Sequence, residues 1–189
     1  MQHKMAIYFA DKLFEGIEEE KEKILVTYGI EVFLNEFLKI IFYMSIGIIF
    51  GKSLEVFFSI AFFLGVRRIA GGRHCRTNVA CFIISLLTIC GSVIIAYFIN
   101  EYFRPRNELI FIITIVESIA IIIFIPFKIN ITNYKQIIMR KVIMLCLLLG
   151  GVTIPMAINY YIYVDIVIFL IAIEIVSCIS CKRNTWYRY

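Results

Sequence analysis

The chain has 189 residues, of which 61% are hydrophobic and only 17% are charged, and its formal net charge is +5. This composition excludes an ordinary soluble globular domain and indicates an integral membrane protein. The positive charge does not require a nucleic-acid partner, because Lys and Arg gather in short segments between apolar runs, where the cytoplasmic charge bias of membrane proteins explains them.

The N-terminal segment, residues 1–31, is strongly charged. Residues 18–23 are all Glu or Lys where a signal peptide is apolar, so we expect this segment to remain in the mature protein. Its apolar residues recur at every fourth position, at Phe9, Leu13 and Ile17. This spacing predicts an amphipathic helix on the inner leaflet of the membrane, and a solvated helix stabilised by ion pairs is the alternative.

Six apolar runs follow, and most are long enough to cross a hydrocarbon layer of about 30 Å. They lack the alternation of membrane strands, so they predict helices rather than a barrel. The sequence therefore predicts an all-α polytopic membrane protein with about six transmembrane helices in residues 32–181, followed by a cytoplasmic tail at 182–189. The second run is short and needs residues 50–53 to reach spanning length. The runs are 32–50, 54–66, 79–99, 109–127, 142–158 and 160–179.

Lys and Arg are sorted between the two sides of these predicted spans. Most lie in the N-terminal segment, the 67–81 loop, residues 128–141 and the tail, whereas the opposite side holds only Lys52, Arg104 and Arg106. The charge bias therefore predicts a multi-pass protein of the cell membrane with both termini and the 67–81 loop in the cytoplasm. The six cysteines are scattered, which is typical of free thiols in a reducing compartment.

The 67–81 loop contains His74, one of two histidines in the chain, and Cys81 seven positions later. In one continuous helix their backbones would be separated by about 10.5 Å of rise, which is too far for a hydrogen bond. Thr77 and Asn78 are good N-cap residues, however, so we expect a helix to begin there and to leave His74 in the preceding loop. The adjacent glycines at positions 71 and 72 then allow that loop to fold back.

A helix that begins near Asn78 places Cys81 in its first turn, where unpaired amides and the helix dipole favour a thiolate. The positive charges of Arg73 and Arg76 also favour the thiolate form of Cys81. A thiolate beside a histidine is the arrangement that acyl transfer requires, so we interpret Cys81 as a nucleophile and His74 as its general base. Asn78 is the nearest candidate for a third, orienting group, although helix capping is its simpler role.

A purely structural interpretation stays open, in which Cys81 packs in the core and His74 lies at the membrane surface. Zinc is disfavoured because His74, Cys75 and Cys81 lack the paired spacing of zinc ligands. The basic side chains of the loop either anchor it at the cytoplasmic surface or attract an acidic peptide. These side chains are Arg67, Arg68, Arg73 and Arg76.

Polar and small residues inside the apolar runs are also informative. Glu117 lies near the middle of the fourth run, where a carboxylate is costly and is therefore a functional candidate. It either fixes helix packing as a neutral group or serves as a proton relay or substrate contact, and Asp165 and Glu174 raise the same question in the sixth run. Gly150 and Gly151 predict a close contact between helices.

The loop and the organisation of the chain resemble the AgrB family, the accessory gene regulator membrane peptidases that process quorum-sensing pro-peptides. The family pattern R-x-x-A-G-G-x-H-x-x-T-x-x-x-C is matched here in full. Chain length, the charged N-terminal segment, the apolar runs and the basic stretch after Pro126 are similar too. The matching residues are Arg67, Ala70, Gly71, Gly72, His74, Thr77 and Cys81.

The resemblance implies a cysteine endopeptidase that cuts an AgrD-like precursor peptide and cyclises it to a thiolactone or lactone autoinducing peptide. It assigns Cys81 as nucleophile and His74 as base, with Arg67 and Gly72 shaping the site, and it implies a homodimer in the lipid bilayer. No metal, other cofactor or nucleic acid is expected. The other loop residues that we assign to substrate binding or site shaping are Arg68, Gly71, Arg73, Arg76, Thr77 and Asn78.

Two other functions compete with the peptidase. A small transporter or channel for an anionic solute or peptide would use the basic loop for binding and Glu117 within the membrane, but no internal repeat of the kind common in transporters is evident. A scaffold that anchors a sensor kinase would require neither Cys81 nor His74.

Overall fold

The computed structural model describes residues 8, 12, 20–70, 78–102, 107–124 and 134–183, and all regular structure among them is helical. The predicted all-α class is therefore confirmed for the described part of the chain. The amphipathic helix predicted in the N-terminal segment lies almost entirely outside these residues. The helices are α1 (Glu20–Ile49), α2 (Ser53–Ala70), α3 (Asn78–Tyr102), α4 (Asn107–Phe124), α5 (Tyr134–Ala157) and α6 (Tyr161–Arg183).

Each predicted apolar run coincides with one of these helices, but the helices are longer than several of the runs. α1 begins at Glu20, ahead of the predicted start at position 32, and α2 includes Arg67 and Arg68 in its last turn. By length and composition, four described segments could cross a membrane: Ile24–Ile49, Val79–Tyr102, Asn107–Phe124 and Lys135–Ala157. α2 and α6 are not among these segments, so the count of six spans stays a prediction.

The connections α1–α2 and α5–α6 are tight turns of the same kind. After α1, the Lys52 amide donates to the Gly47 carbonyl at 2.8 Å, and Gly51 has a φ of 65°. After α5, the Tyr160 amide donates to the Pro155 carbonyl at 2.9 Å, and Asn159 has a φ of 60°. This is the Schellman pattern, which ends a helix with one left-handed residue and reverses the chain within a few positions.

The sixth helix lies at the centre of the bundle and packs against α2, α3, α4 and α5. Val167 and Ile171 belong to one apolar cluster, with residues of α2, α4 and α5. Ile166 and Leu170 belong to a second cluster, with residues of α1, α2 and α3. A helix that is apolar on nearly every side is stable where other helices cover it, and α6 is such a helix.

The outer surface of the bundle is rich in large apolar side chains. Phe33, Leu87 and Phe111, for example, are each more than 60% exposed. Exposed apolar area of this extent is the surface expected where lipid surrounds the protein. Inside the bundle, the hydroxyls of Ser59 in α2 and Ser92 in α3 lie 2.9 Å apart, and this hydrogen bond ties the two helices together.

Gly151 provides the close helix contact that the sequence predicted. A Cβ atom at this position would lie 3.0 Å from Val167 in α6 and 3.1 Å from Phe62 in α2. At Gly150, a Cβ atom would have no neighbour within 4 Å. Only the second glycine of the pair therefore allows α5 to approach the centre of the bundle.

We expect Gly151→Leu to destabilise the fold by about 1–3 kcal/mol, because the side chain must displace Val167 and Phe62 in a packed interior. Thermal unfolding of the detergent-solubilised protein, monitored by size-exclusion chromatography, measures this loss of stability. Gly150→Leu is the matched control and should unfold close to the parent. Equal loss of stability in both variants would contradict the assignment of Gly151 as the contact residue.

Candidate active site

Cys81 lies in the first turn of α3, because this helix begins at Asn78 as the capping residues predicted. The first four amides of a helix have no partner within it, and they carry the positive end of the helix dipole. The Cys81 side chain is partly exposed, and the thiol is free. The sulfur therefore lies in an electropositive position at one end of the bundle, which we call the Cys81 end.

Arg67 brings a full positive charge to this sulfur from the neighbouring helix. Its Nη2 atom lies 3.9 Å from the Cys81 Sγ and is oriented to donate a hydrogen bond to it. The guanidinium also lies over the ring of Phe63, one turn earlier in α2, with the ring centroid 5.4 Å away. A permanent cation from α2 is therefore in contact with the sulfur at the beginning of α3.

Tyr43 of α1 supports the same turn of α3. It is 3% exposed, and its hydroxyl donates to the carbonyl of Phe82 at 3.2 Å. The two rings also stack, with centroids 5.6 Å apart. Since Phe82 follows Cys81 directly, these contacts fix the backbone that carries the thiol, and three helices thus define its position.

The structure describes only part of the predicted site. Arg67 contacts Cys81, whereas Arg68 is exposed in the same turn of α2, and Asn78 is the first residue of α3. The approach of His74 to Cys81 stays a prediction, because His74 lies outside the described residues. Also outside the described residues are Gly71, Gly72, Arg73, Cys75, Arg76 and Thr77.

Lys39 is a polar group that the sequence interpretation missed. It is 6% exposed within the apolar part of α1, and its Nζ donates to the half-exposed carboxylate of Glu36. Lys39 lies one turn before Tyr43, so both point towards the same side of α1. The available signal was an acid and a base three positions apart inside an apolar run, which is a common way to hold a charge within a span.

Glu117 and Asp165 do not join this cluster of contacts. Glu117 is 5% exposed on the face of α4 that also buries Thr114 and Ile121, and neither carboxylate oxygen has a hydrogen-bond partner among the described residues. Asp165 lies at the opposite end of the bundle, where the Asn100 side chain donates to it at 3.4 Å. The described contacts give Glu117 no second member for a proton relay.

Comparison with known proteins places the chain in a family. The model of the family described as Accessory gene regulator B matches residues 3–178. An AgrB-like protein of Lactiplantibacillus plantarum is 28% identical over 134 residues, which cover 66% of this chain and 64% of that protein. The chain thus spans slightly less than two thirds of the length of that curated relative. No solved structure matches the chain. Because the family match extends over nearly the whole chain, this protein belongs to the accessory gene regulator B family.

Proposed function

We propose that this protein is a membrane-embedded cysteine endopeptidase that cleaves a quorum-sensing precursor peptide and promotes its cyclisation. The observation that carries the proposal is the contact between the Arg67 guanidinium and the Cys81 sulfur at the beginning of α3. A thiol that serves only for packing gains nothing from a charged neighbour, whereas a nucleophile does. Membership of the accessory gene regulator B family supports the same conclusion.

In the first chemical step, the Cys81 thiolate attacks the carbonyl carbon of the peptide bond that follows the future ring. A sulfur–carbon bond forms and the carbon–nitrogen bond breaks, so the N-terminal part of the substrate becomes a thioester on the enzyme. His74 takes the thiol proton and delivers it to the departing amine. Backbone amides in the first turn of α3 then stabilise the oxyanion of the tetrahedral intermediate.

In the second step, a cysteine or serine inside the bound segment attacks the thioester carbonyl. Its sulfur or oxygen forms the new bond and gives its proton to His74, the bond to Cys81 breaks, and the enzyme thiolate is regenerated as a thiolactone or lactone closes. Replacing an amide by a thioester is uphill, so turnover requires removal of the cleaved tail. Water competes with the internal nucleophile, so the acyl-enzyme requires a site that excludes water.

Processing by the Cys81 variants tests the proposal. When the chain is produced together with its precursor peptide, Cys81→Ala and His74→Ala should each reduce cleavage by roughly 1,000-fold or more, as removal of a catalytic nucleophile or base does. Mass spectrometry of the peptide and a search for a trapped acyl-enzyme provide the measurement. Cys90→Ala, which removes another thiol of α3, is the control and should leave processing intact.

Full processing by Cys81→Ala would end the enzyme hypothesis. A transport function would then be favoured if Glu117→Gln abolished the movement of a peptide or anion across the membrane. A scaffold function would be favoured if neither change had an effect.

The proposal also requires the Cys81 end to face the cytoplasm, where the precursor is made. In a cysteine-free background, Phe50→Cys, at an exposed position between α1 and α2, should react with a membrane-impermeant thiol reagent in intact cells. Lys12→Cys, at an exposed position near the N-terminus, should react only after the cells are permeabilised. The reverse labelling pattern would refute the orientation.

A further inference from the structure

Lys39 is a buried cation that the proposed reaction does not use. It is 6% exposed within the apolar part of α1, and its Nζ donates to the carboxylate of Glu36. Glu36 is the one partner that Lys39 has among the described residues. An ammonium has three donors, and a buried charge is costly unless it is paired and hydrogen-bonded. The placement of this lysine inside the bundle therefore requires an explanation.

The buried side of α1 leads from Lys39 to the candidate active site. The buried residues among 24–49 are Lys39, Tyr43 and Gly47, and their spacing of four places them on one side of the helix. The Tyr43 hydroxyl donates to the carbonyl of Phe82 at 3.2 Å, near the beginning of α3. α1 and α3 run in the same direction, because α2 returns the chain between them. Lys39 precedes Tyr43 by one turn, about 6 Å along the axis, and so lies at the level of the turn that carries Cys81.

Lys39 also marks the point at which α1 leaves the packed interior. No residue of α1 from position 24 to position 38 is buried. The side chain of Glu36, on this open part of the helix, is half-exposed. A lysine in a surface pair extends its ammonium away from the apolar interior, whereas here the acid is outside and the base is inside. A ligand that approaches along the open part of α1 thus reaches the ammonium by displacing one exposed side chain.

The burial of the ammonium determines which groups can replace Glu36. A buried cation that loses its acid becomes an unpaired charge, which is strongly unfavourable, whereas exchange of one carboxylate for another keeps the ion pair. Glu36 itself gains little from the contact, because a half-exposed acid in an ion pair contributes little to stability. In an unmodified peptide, the anionic groups at neutral pH are the Asp and Glu side chains and the C-terminus. A peptide bound beside Cys81 can supply any of these carboxylates.

We propose that Lys39 forms a carboxylate subsite for the peptide substrate at the Cys81 end, and that Glu36 fills this subsite until an acidic group of the peptide replaces it. The identity of the ligand as the precursor peptide rests on the proposed function. Binding does not require catalysis, however, so the subsite can be measured on a chain that lacks the nucleophile.

The test uses the full chain with Cys81→Ala in detergent micelles and measures the Kd of a fluorescently labelled precursor peptide by anisotropy. We expect Lys39→Gln to raise this Kd by about tenfold or more, because one partner of a buried charge pair is lost. Lys52→Gln is the matched control. The Lys52 ammonium is also held by a neighbouring side chain, 3.7 Å from the centroid of the Tyr97 ring, but it lies at the opposite end of the bundle, so the Kd should not change.

A panel of precursor peptides separates a subsite from a structural role. In each peptide one Asp or Glu is replaced by Asn or Gln, and in one further peptide the C-terminal carboxylate is amidated. One of these peptides should bind about tenfold more weakly than the parent peptide, and Lys39→Gln should weaken its binding no further, because directly coupled groups are not additive. If Lys39→Gln weakens the binding of every peptide equally, or of none, the proposal is overturned.

Glu36→Gln tests the displacement step, and it decides the matter if Lys39→Gln does not fold. Removal of the competing carboxylate leaves the subsite open in every molecule, so the Kd of the parent peptide should fall by about threefold or more. The peptide that lacks the essential carboxylate should gain nothing from the same change. Unchanged or weaker binding of the parent peptide to Glu36→Gln contradicts the proposal.

The two proposals can fail separately. If binding depends on Lys39 while the chain that retains Cys81 leaves the precursor intact, the enzyme assignment is wrong and the carboxylate subsite stands. If Cys81 is required for cleavage while binding is independent of Lys39, the enzyme assignment stands and the subsite is wrong. Absence of any binding of the precursor also overturns the subsite.

Discussion

Burial of the sixth helix is the constraint on which the rest of the structure depends. α6 is apolar on nearly every side, and such a helix is stable in a bundle when other helices surround it. α2, α3, α4 and α5 pack against it, and its two apolar clusters join the helices on either side into one body. The few acids that α6 carries must then find their partners among its neighbours.

The candidate active site follows from this packing. α2 and α3 are antiparallel neighbours tied by the hydrogen bond between Ser59 and Ser92, so the end of one helix lies beside the beginning of the other. This arrangement brings the Arg67 guanidinium into contact with the Cys81 sulfur. A positive charge, a thiol and the tyrosine that supports the adjacent backbone thus come from three different helices.

Much of the fold could be predicted because membrane helices have strong local signals. Continuous apolar runs, a pair of adjacent glycines and two capping residues were sufficient to anticipate six helices, the close contact at Gly151 and the beginning of α3 near Asn78. Helix ends were less predictable. α1 and α2 continue into charged residues, since a helix keeps its backbone hydrogen bonds beyond the apolar run. The Lys39–Glu36 pair was missed because its run remains apolar on average.

The sequence by itself determined the membrane class, the helical fold and the family resemblance, and it predicted Cys81 as the reactive thiol. All of these depend on residue type and on spacing along the chain, which are local properties. Only the tertiary structure decided that Arg67 contacts Cys81 and that Tyr43 supports the adjacent backbone. These contacts join residues far apart in the sequence, and their geometry is set by how the helices pack around α6.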